Sequence, residues 1–263
     1  MGKIDIIKNR IYSDYIMPSR LDEYAKIIEE SLSNGYIHLT IRDYNRLREN
    51  KGLDSNQKYF IHRHDIDTDV ATAKAFFEIE KRYNIKATYY FRLSTLNFSF
   101  MREIESYGSE ASYHFEEIAQ YCKDNHIKSK DTVLQNIDKI RVKFKKNFKM
   151  IENRLGYKMV SVSSHGDFVN RKLELINNEI TKDKKLRREL GVECETYDDD
   201  LMKSFDIYVS DKPYPTFYTP KSIFEYIGKK STICMLTHPR QWRTNIIVSS
   251  IDNLKRVYEG LKW

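Results

Sequence analysis

Apolar residues along this chain alternate between two periods. The stretches 58–64, 86–93, 110–116, 157–162, 207–211 and 232–239 are short, dense in Tyr, Phe, Ile, Val and Thr, and read as buried strands. Between them, 70–83, 100–107 and 131–155 carry apolar residues at the three-to-four spacing of helices packed on a sheet. Strand, helix, strand within 58–93 is a βαβ unit, whose right-handed crossover makes its two strands parallel. A helix over 19–34, capped by Ser19 and closed by Gly35, a short strand over 36–40 and a second short helix over 44–49 precede this core. Residues 171–190 read as a charged helical or irregular insertion, and 251–261 as a closing helix. The pattern predicts an α/β domain with a largely parallel, curved or closed sheet.

The polar residues add a regularity of their own: strand after strand ends in His or Asp. The run Tyr59-Phe60-Ile61-His62-Arg63-His64-Asp65-Ile66-Asp67 delivers two carboxylates, and on an extended backbone residues i and i+2 point to one side. Two anions so close repel unless a cation or a shared proton intervenes, which a metal on one and a proton on the other would supply. The plainer alternative is a strand-end turn capping the next helix through Thr68 and Asp69. Later exits carry His114, His165, Asp211 and His238. Exits of a curved parallel sheet converge on one mouth, so residues distant in sequence can share a site. Imidazole and carboxylate together suit zinc or a similar divalent ion with one position left for water.

Composition narrows the setting. The 263 residues suffice for one α/β domain; Lys+Arg 45 against Asp+Glu 38 leaves a net charge of +7, which favours anionic partners. No motif that reads a nucleic-acid groove is present, so no specific nucleic acid is expected. Cys122, Cys194 and Cys234 are far apart and in no CxxC arrangement, which fits a reducing cytoplasm rather than a disulfide scaffold. No apolar run reaches the roughly 18 residues of a transmembrane segment.

Over 58–245 the order and context of these residues resemble the polysaccharide deacetylase family, the NodB-like carbohydrate esterases, and most nearly its members associated with surface-polysaccharide and lipopolysaccharide biosynthesis. Arg63-His64-Asp65-Ile66-Asp67 resembles the family's His-Asp-x-Asp, and Ala87-Thr88-Tyr89-Tyr90-Phe91 its Ala-Thr-Phe-Phe strand. Residues 110–116 resemble Glu-Ile-Gly-x-His, and Leu236-Thr237-His238 the closing Leu-x-His. The resemblance implies a distorted (β/α) barrel over 58–263, with a helical insertion near 171–205 and residues 1–57 as an N-terminal helical extension. It implies Asp65 as general base, Asp67 and His114 as ligands of a divalent metal, Zn2+ foremost, His238 as general acid and Asp211 as its acidic partner. The implied substrate is an N-acetylated sugar or sugar-nucleotide. Two departures stand out: the family's second histidine is Ile118 here, and its Arg-x-Pro-x-Gly segment is Ser163-Ser164-His165-Gly166. His165 is the candidate for the missing ligand, or else a hydrogen-bonding rim residue. Arg63, Arg240 and Trp242 are candidates for substrate binding, Trp242 by stacking on a sugar ring; the alternatives are packing for Arg240 and Trp242, and for Arg63 an orienter of Asp65 or a plain salt-bridge residue. The departures also leave open a second reading, in which a catalytically degenerate relative binds an anionic glycan, nucleotide or protein.

Overall fold

The structure, a computed structural model, describes residues 2–263. Its strands are β1 (Tyr36–Leu39), β2 (Lys58–Ile66), β3 (Thr88–Phe91), β4 (Glu110–Phe115), β5 (Ser161–Ser164), β6 (Cys194–Glu195), β7 (Ile207–Asp211), β8 (Tyr218–Thr219) and β9 (Thr232–Thr237). They form one sheet in the order β6-β5-β4-β3-β2-β9-β7-β8, with β1 paired to β2. Only β8 runs antiparallel to its neighbour. The long β2 organises the sheet. Residues 58–61 pair with β1 and residues 63–66 with β3 along one edge, while β9 takes the other over 59–64.

The sheet curls. Cys194 of β6, Tyr90 of β3 and Cys234 of β9 share one hydrophobic cluster with Tyr208 of β7 packed against it. In a flat sheet β6 and β7 would lie six strands apart, about 29 Å at roughly 4.8 Å per strand. The expected α/β fold is therefore present, with its sheet rolled into half a barrel and ending at β6 and β8.

Where the pattern and the structure differ, polar side chains explain it. The strand expected at 157–162 begins at Ser161, since the Met159 N–H before it is taken by the Glu152 carboxylate, and inside it the hydroxyls of Ser161 and Ser163 bond to Glu110 and Arg63. The helix expected over 131–155 is two, Lys130–Gln135 and Ile137–Leu155, interrupted at Asn136, whose side chain bonds back to the Thr132 carbonyl. The closing helix starts earlier than its apolar spacing suggests, at Ile246, because Asn245 caps it through the Val248 N–H.

Alternation along β2 separates two polar systems. Ile61, Arg63 and Asp65 face into the half-barrel, and Phe60, His62 and His64 face out toward the helices. The outer set forms a continuous chain: His38 Nδ1 to His62 Nε2 at 2.9 Å, His62 Nδ1 to the Tyr24 hydroxyl at 3.2 Å, and Tyr24 onto Glu80 Oε1 at 2.7 Å. His64 reaches the same oxygen at 2.7 Å and Tyr89 donates to Glu80 Oε2 at 2.6 Å. Burial pushes His38 down to about 4 and His62 well below the ordinary histidine range, so both are neutral at pH 7. Glu80 is thus the acceptor that satisfies three buried donors. Glu80→Leu, which leaves them unpaired, is expected to cost about 3–5 kcal/mol in urea unfolding; a loss below ~1 kcal/mol would contradict this role.

Candidate functional site

Arg63 and Asp65 sit two residues apart on the inner face of β2, and both are buried. The Arg63 guanidinium lies 4.4 Å from the Tyr197 ring centroid. It donates through Nε to Asp65 Oδ1 at 3.0 Å and through Nη2 to Asp65 Oδ2 at 2.7 Å, with Nη2 also reaching Ser163 Oγ at 2.7 Å. Burial would raise the Asp65 carboxyl, but the Arg63 and His114 charges outweigh it and hold the group below the ordinary range. Asp65 is therefore an ionised carboxylate with its plane fixed. Arg63 itself, 1 % exposed, has no face left for a substrate and serves as the orienter.

Asp67 follows the end of β2, turned by its N–H bonding the Asp65 carbonyl at 3.0 Å. Its Oδ1 lies 3.3 Å from His114 Nε2 and 3.1 Å from His165 Nδ1, and these two nitrogens are 3.2 Å apart. His114 Nδ1 meets the Ser163 carbonyl at 3.0 Å. A carbonyl only accepts, so Nδ1 carries a proton, and Nε2 is the ring nitrogen turned toward Asp67 and His165. His165 is pinned through its backbone, its N–H on the Phe115 carbonyl and its own carbonyl accepting from Asn177. Burial acts to raise Asp67, but His165 and His114 hold it well below the ordinary range.

This triangle fits a metal. Ligands about 2.0–2.1 Å from a tetrahedral ion stand roughly 3.3 Å from one another, and the separations here are 3.1, 3.2 and 3.3 Å. Asp67 Oδ1 is buried without a well-aligned hydrogen bond although two imidazole nitrogens flank it. Ile118, where a further histidine was absent from the sequence, points into the core, and its N–H bonds Asn177. A second grouping of Glu116, His165 and Asp167 is already committed, Glu116 to Arg92 and Asp167 to Lys123.

Across the mouth, Asp211 holds His238. Its Oδ1 meets His238 Nδ1 at 2.6 Å, and its Oδ2 accepts from the His238 N–H at 2.7 Å and from Trp242 Nε1 at 2.8 Å. Desolvation acts to lower His238, but the Asp211 carboxylate, aided by Asp67 and Asp65, pushes it up to about 9. Trp242 is fully buried, so stacking on a sugar is excluded; its indole instead locks Asp211. A crevice of about 390 Å³ connects the two halves, lined by Asp67, His165, Asp211 and His238 and rimmed by Arg10, Arg171, Lys212 and Arg240. Arg240 is tied to Asp14 and Asp252, whereas no ion pair engages the Arg171 or Lys212 side chain among the described residues.

The structure thus brings Asp65, Asp67, His114 and His165 together with Asp211 and His238 opposite, leaves Arg240 on the rim, and places Arg63 and Trp242 behind the surface. Sequence reasoning missed Tyr197, Ser163 and Arg92. Arg92 donates to the Asp67 carbonyl at 3.3 Å while clamped by Glu116. Its position just past the β3 run was the available signal; Tyr197 lies in an irregular stretch that offered none.

No family model matches the chain, and no curated protein does. Among solved structures it is similar to a deacetylase of Streptococcus pyogenes, PplD, in complex with acetate, at TM-score 0.43 and 13% identity over 65% of this chain and 73% of that one. It is also similar to the Xyl-CE4 domain of a multidomain xylanase from the hindgut metagenome of Trinervitermes trinervoides, at TM-score 0.35 and 16% identity over 76% of this chain and 84% of that one. Likenesses this distant leave the chemistry to the residues themselves.

The ring of His238 provides a direct check. In chelator-treated protein, NMR titration is expected to place it near pH 9, and Asp211→Asn to bring it down toward the unperturbed 6.5; an unchanged midpoint would contradict the pairing.

Proposed function

We propose that this protein is a metal-dependent hydrolase that removes the acetyl group from an N-acetylated sugar. The observation that carries the reading is the near-equilateral set of Asp67 Oδ1, His114 Nε2 and His165 Nδ1, with 3.1–3.3 Å sides, next to the oriented carboxylate of Asp65. Asp67, His114 and His165 would hold a divalent ion such as Zn2+, which when bound supplies Lewis acidity and lowers the pKa of water. The partial resemblance in sequence to the polysaccharide deacetylases points the same way.

The chain's own residues divide the proton traffic. Asp65, ionised and held by Arg63, takes a proton from the water that attacks the acetyl carbonyl. His238, protonated because Asp211 faces it, gives a proton to the departing amine as the C–N bond breaks. The products are acetate and the free amino sugar. The low Asp65 and high His238 set base and acid in opposite states at neutral pH. Arg171 and Lys212 at the mouth favour a substrate that bears phosphate, such as a sugar-nucleotide or lipid-linked precursor of surface polysaccharide or lipopolysaccharide. The alternative of a degenerate binding protein loses its main support, since His165 offers the donor that the residue at 118 does not.

Acetate release from a panel of N-acetylated sugars and their nucleotide-linked forms tests the reading. Asp65→Asn is expected to lower turnover by about 100-fold or more while circular dichroism and metal content stay near wild type; full activity in that variant would overturn the assignment. The pH profile adds a second check. Because His238 must be protonated, activity falls as pH rises through its pKa, and Asp211→Asn moves that alkaline limb to lower pH. A limb that stays in place would remove His238 from the role of acid.

A further inference from the structure

The helix Ile246–Lys262 is amphipathic in the reverse of the usual sense. Its inward side is polar: Ser249 is buried, Asp252 pairs with Arg240, Asn253 bonds Arg10 and Asp14, and Glu259 pairs with Lys123. Its outward side is apolar: Ile247, Ile251, Leu254, Val257, Tyr258 and Leu261 are 62% to 83% exposed. At about 100° per residue these six, with Ile246, span an arc of roughly 140° in which Ser250 is the one polar residue. The helix Lys3–Ile11 lies beside it, joined through Arg10 and Asn253 at 3.0 Å, and leaves Ile4, Ile7 and Ile11 exposed at helical spacing. Of the eighteen large apolar side chains that are exposed among the described residues, five lie in 4–16 and seven in 246–261. Scattered exposure is ordinary on a protein surface, but seven exposed apolar residues on one arc of a single helix mark a surface that something covers.

Charge selects what covers it. Lys255 and Lys262 border the apolar arc on the wheel, Lys8 is exposed beside Ile4 and Ile11, and the whole chain carries +7. The core of a contact between two copies is depleted of lysine, because each ammonium would have to shed its water. Aliphatic side chains flanked by lysines suit a helix lying in the headgroup layer of a bilayer, with the apolar arc at the acyl boundary and the ammonium groups reaching phosphate. No helix here is long and apolar enough to cross a membrane. We propose that the two terminal helices form a docking face for the surface of an anionic phospholipid membrane. The inference goes beyond the hydrolase reading and does not depend on it. Its consequence for the site is positional, because Arg10, Lys255 and Arg256 of the same helices also wall the crevice.

Flotation of the full chain with vesicles tests this. Wild type is expected to float with vesicles of phosphatidylcholine and phosphatidylglycerol at three to one, to float less with pure phosphatidylcholine, and to be released as salt is raised. Ile251→Glu/Leu254→Glu is expected to weaken binding by about tenfold or more with an unchanged melting temperature, since both side chains point to solvent. Ile247→Ser/Leu261→Ser, which removes apolar surface without adding negative charge, should weaken it as well. Wild type that never floats, or variants that float as well as wild type, would overturn the proposal. So would a wild-type dimer in sedimentation velocity that either variant dissolves without vesicle binding, since the face would then belong to a second copy.

Discussion

A charged guanidinium buried inside half a barrel is the constraint on which the rest depends. Arg63 cannot shed its water without replacement, so the interior around it is built of partners: both oxygens of Asp65, the Ser163 hydroxyl and the Tyr197 ring. These partners come from β2, from β5 and from the segment after β6, so meeting the guanidinium requires the sheet to curl. The same demand shapes the site. Ser163 bonds Arg63 through its hydroxyl and His114 through its carbonyl, so one residue couples the fixed carboxylate to the histidine whose Nε2 faces Asp67. Removing Arg63 would take away the largest influence that holds the Asp65 carboxyl down and leave burial free to raise it against the histidines alone.

The two faces of β2 show how one strand can serve stability and chemistry separately. Outward, His62 and His64 join a buried chain that ends on Glu80, and burial keeps His38 and His62 neutral. Inward, the charges are kept. Single-residue alternation is the only thing separating these systems, and a slip of one residue in register would exchange them. Thr237 links them, since its hydroxyl meets His64 Nδ1 at 2.5 Å immediately before His238 turns toward the crevice.

Much of this was legible in the sequence because it rests on periodicity. The strand exits at Asp65, Asp67, His114, His165, Asp211 and His238 follow from apolar runs that stop abruptly, and the expected curved α/β sheet follows from their number and spacing. What was not legible rests on tertiary contact. Trp242 reads as an aromatic beside a sugar site, but only the packing reveals an indole buried and spent on Asp211. Arg63 reads as a substrate contact, an orienter of Asp65 or a plain salt-bridge residue until its burial removes the first choice. Tyr197 and the Asn136 break lie in segments whose local pattern carries no signal. The terminal helix shows the opposite case, a clean apolar period whose direction of facing sequence alone does not state.

If Asp67, His114 and His165 form a metal centre, the purified protein carries or takes up a divalent ion. Mass spectrometry of the purified full chain, before and after incubation with zinc, cobalt, nickel or manganese, is predicted to find about one equivalent of a divalent ion in wild type and a large loss in His165→Ala with little change in melting temperature of the metal-free proteins. A wild-type protein that refuses all four ions, or a His165→Ala protein that holds as much as wild type, would contradict the account.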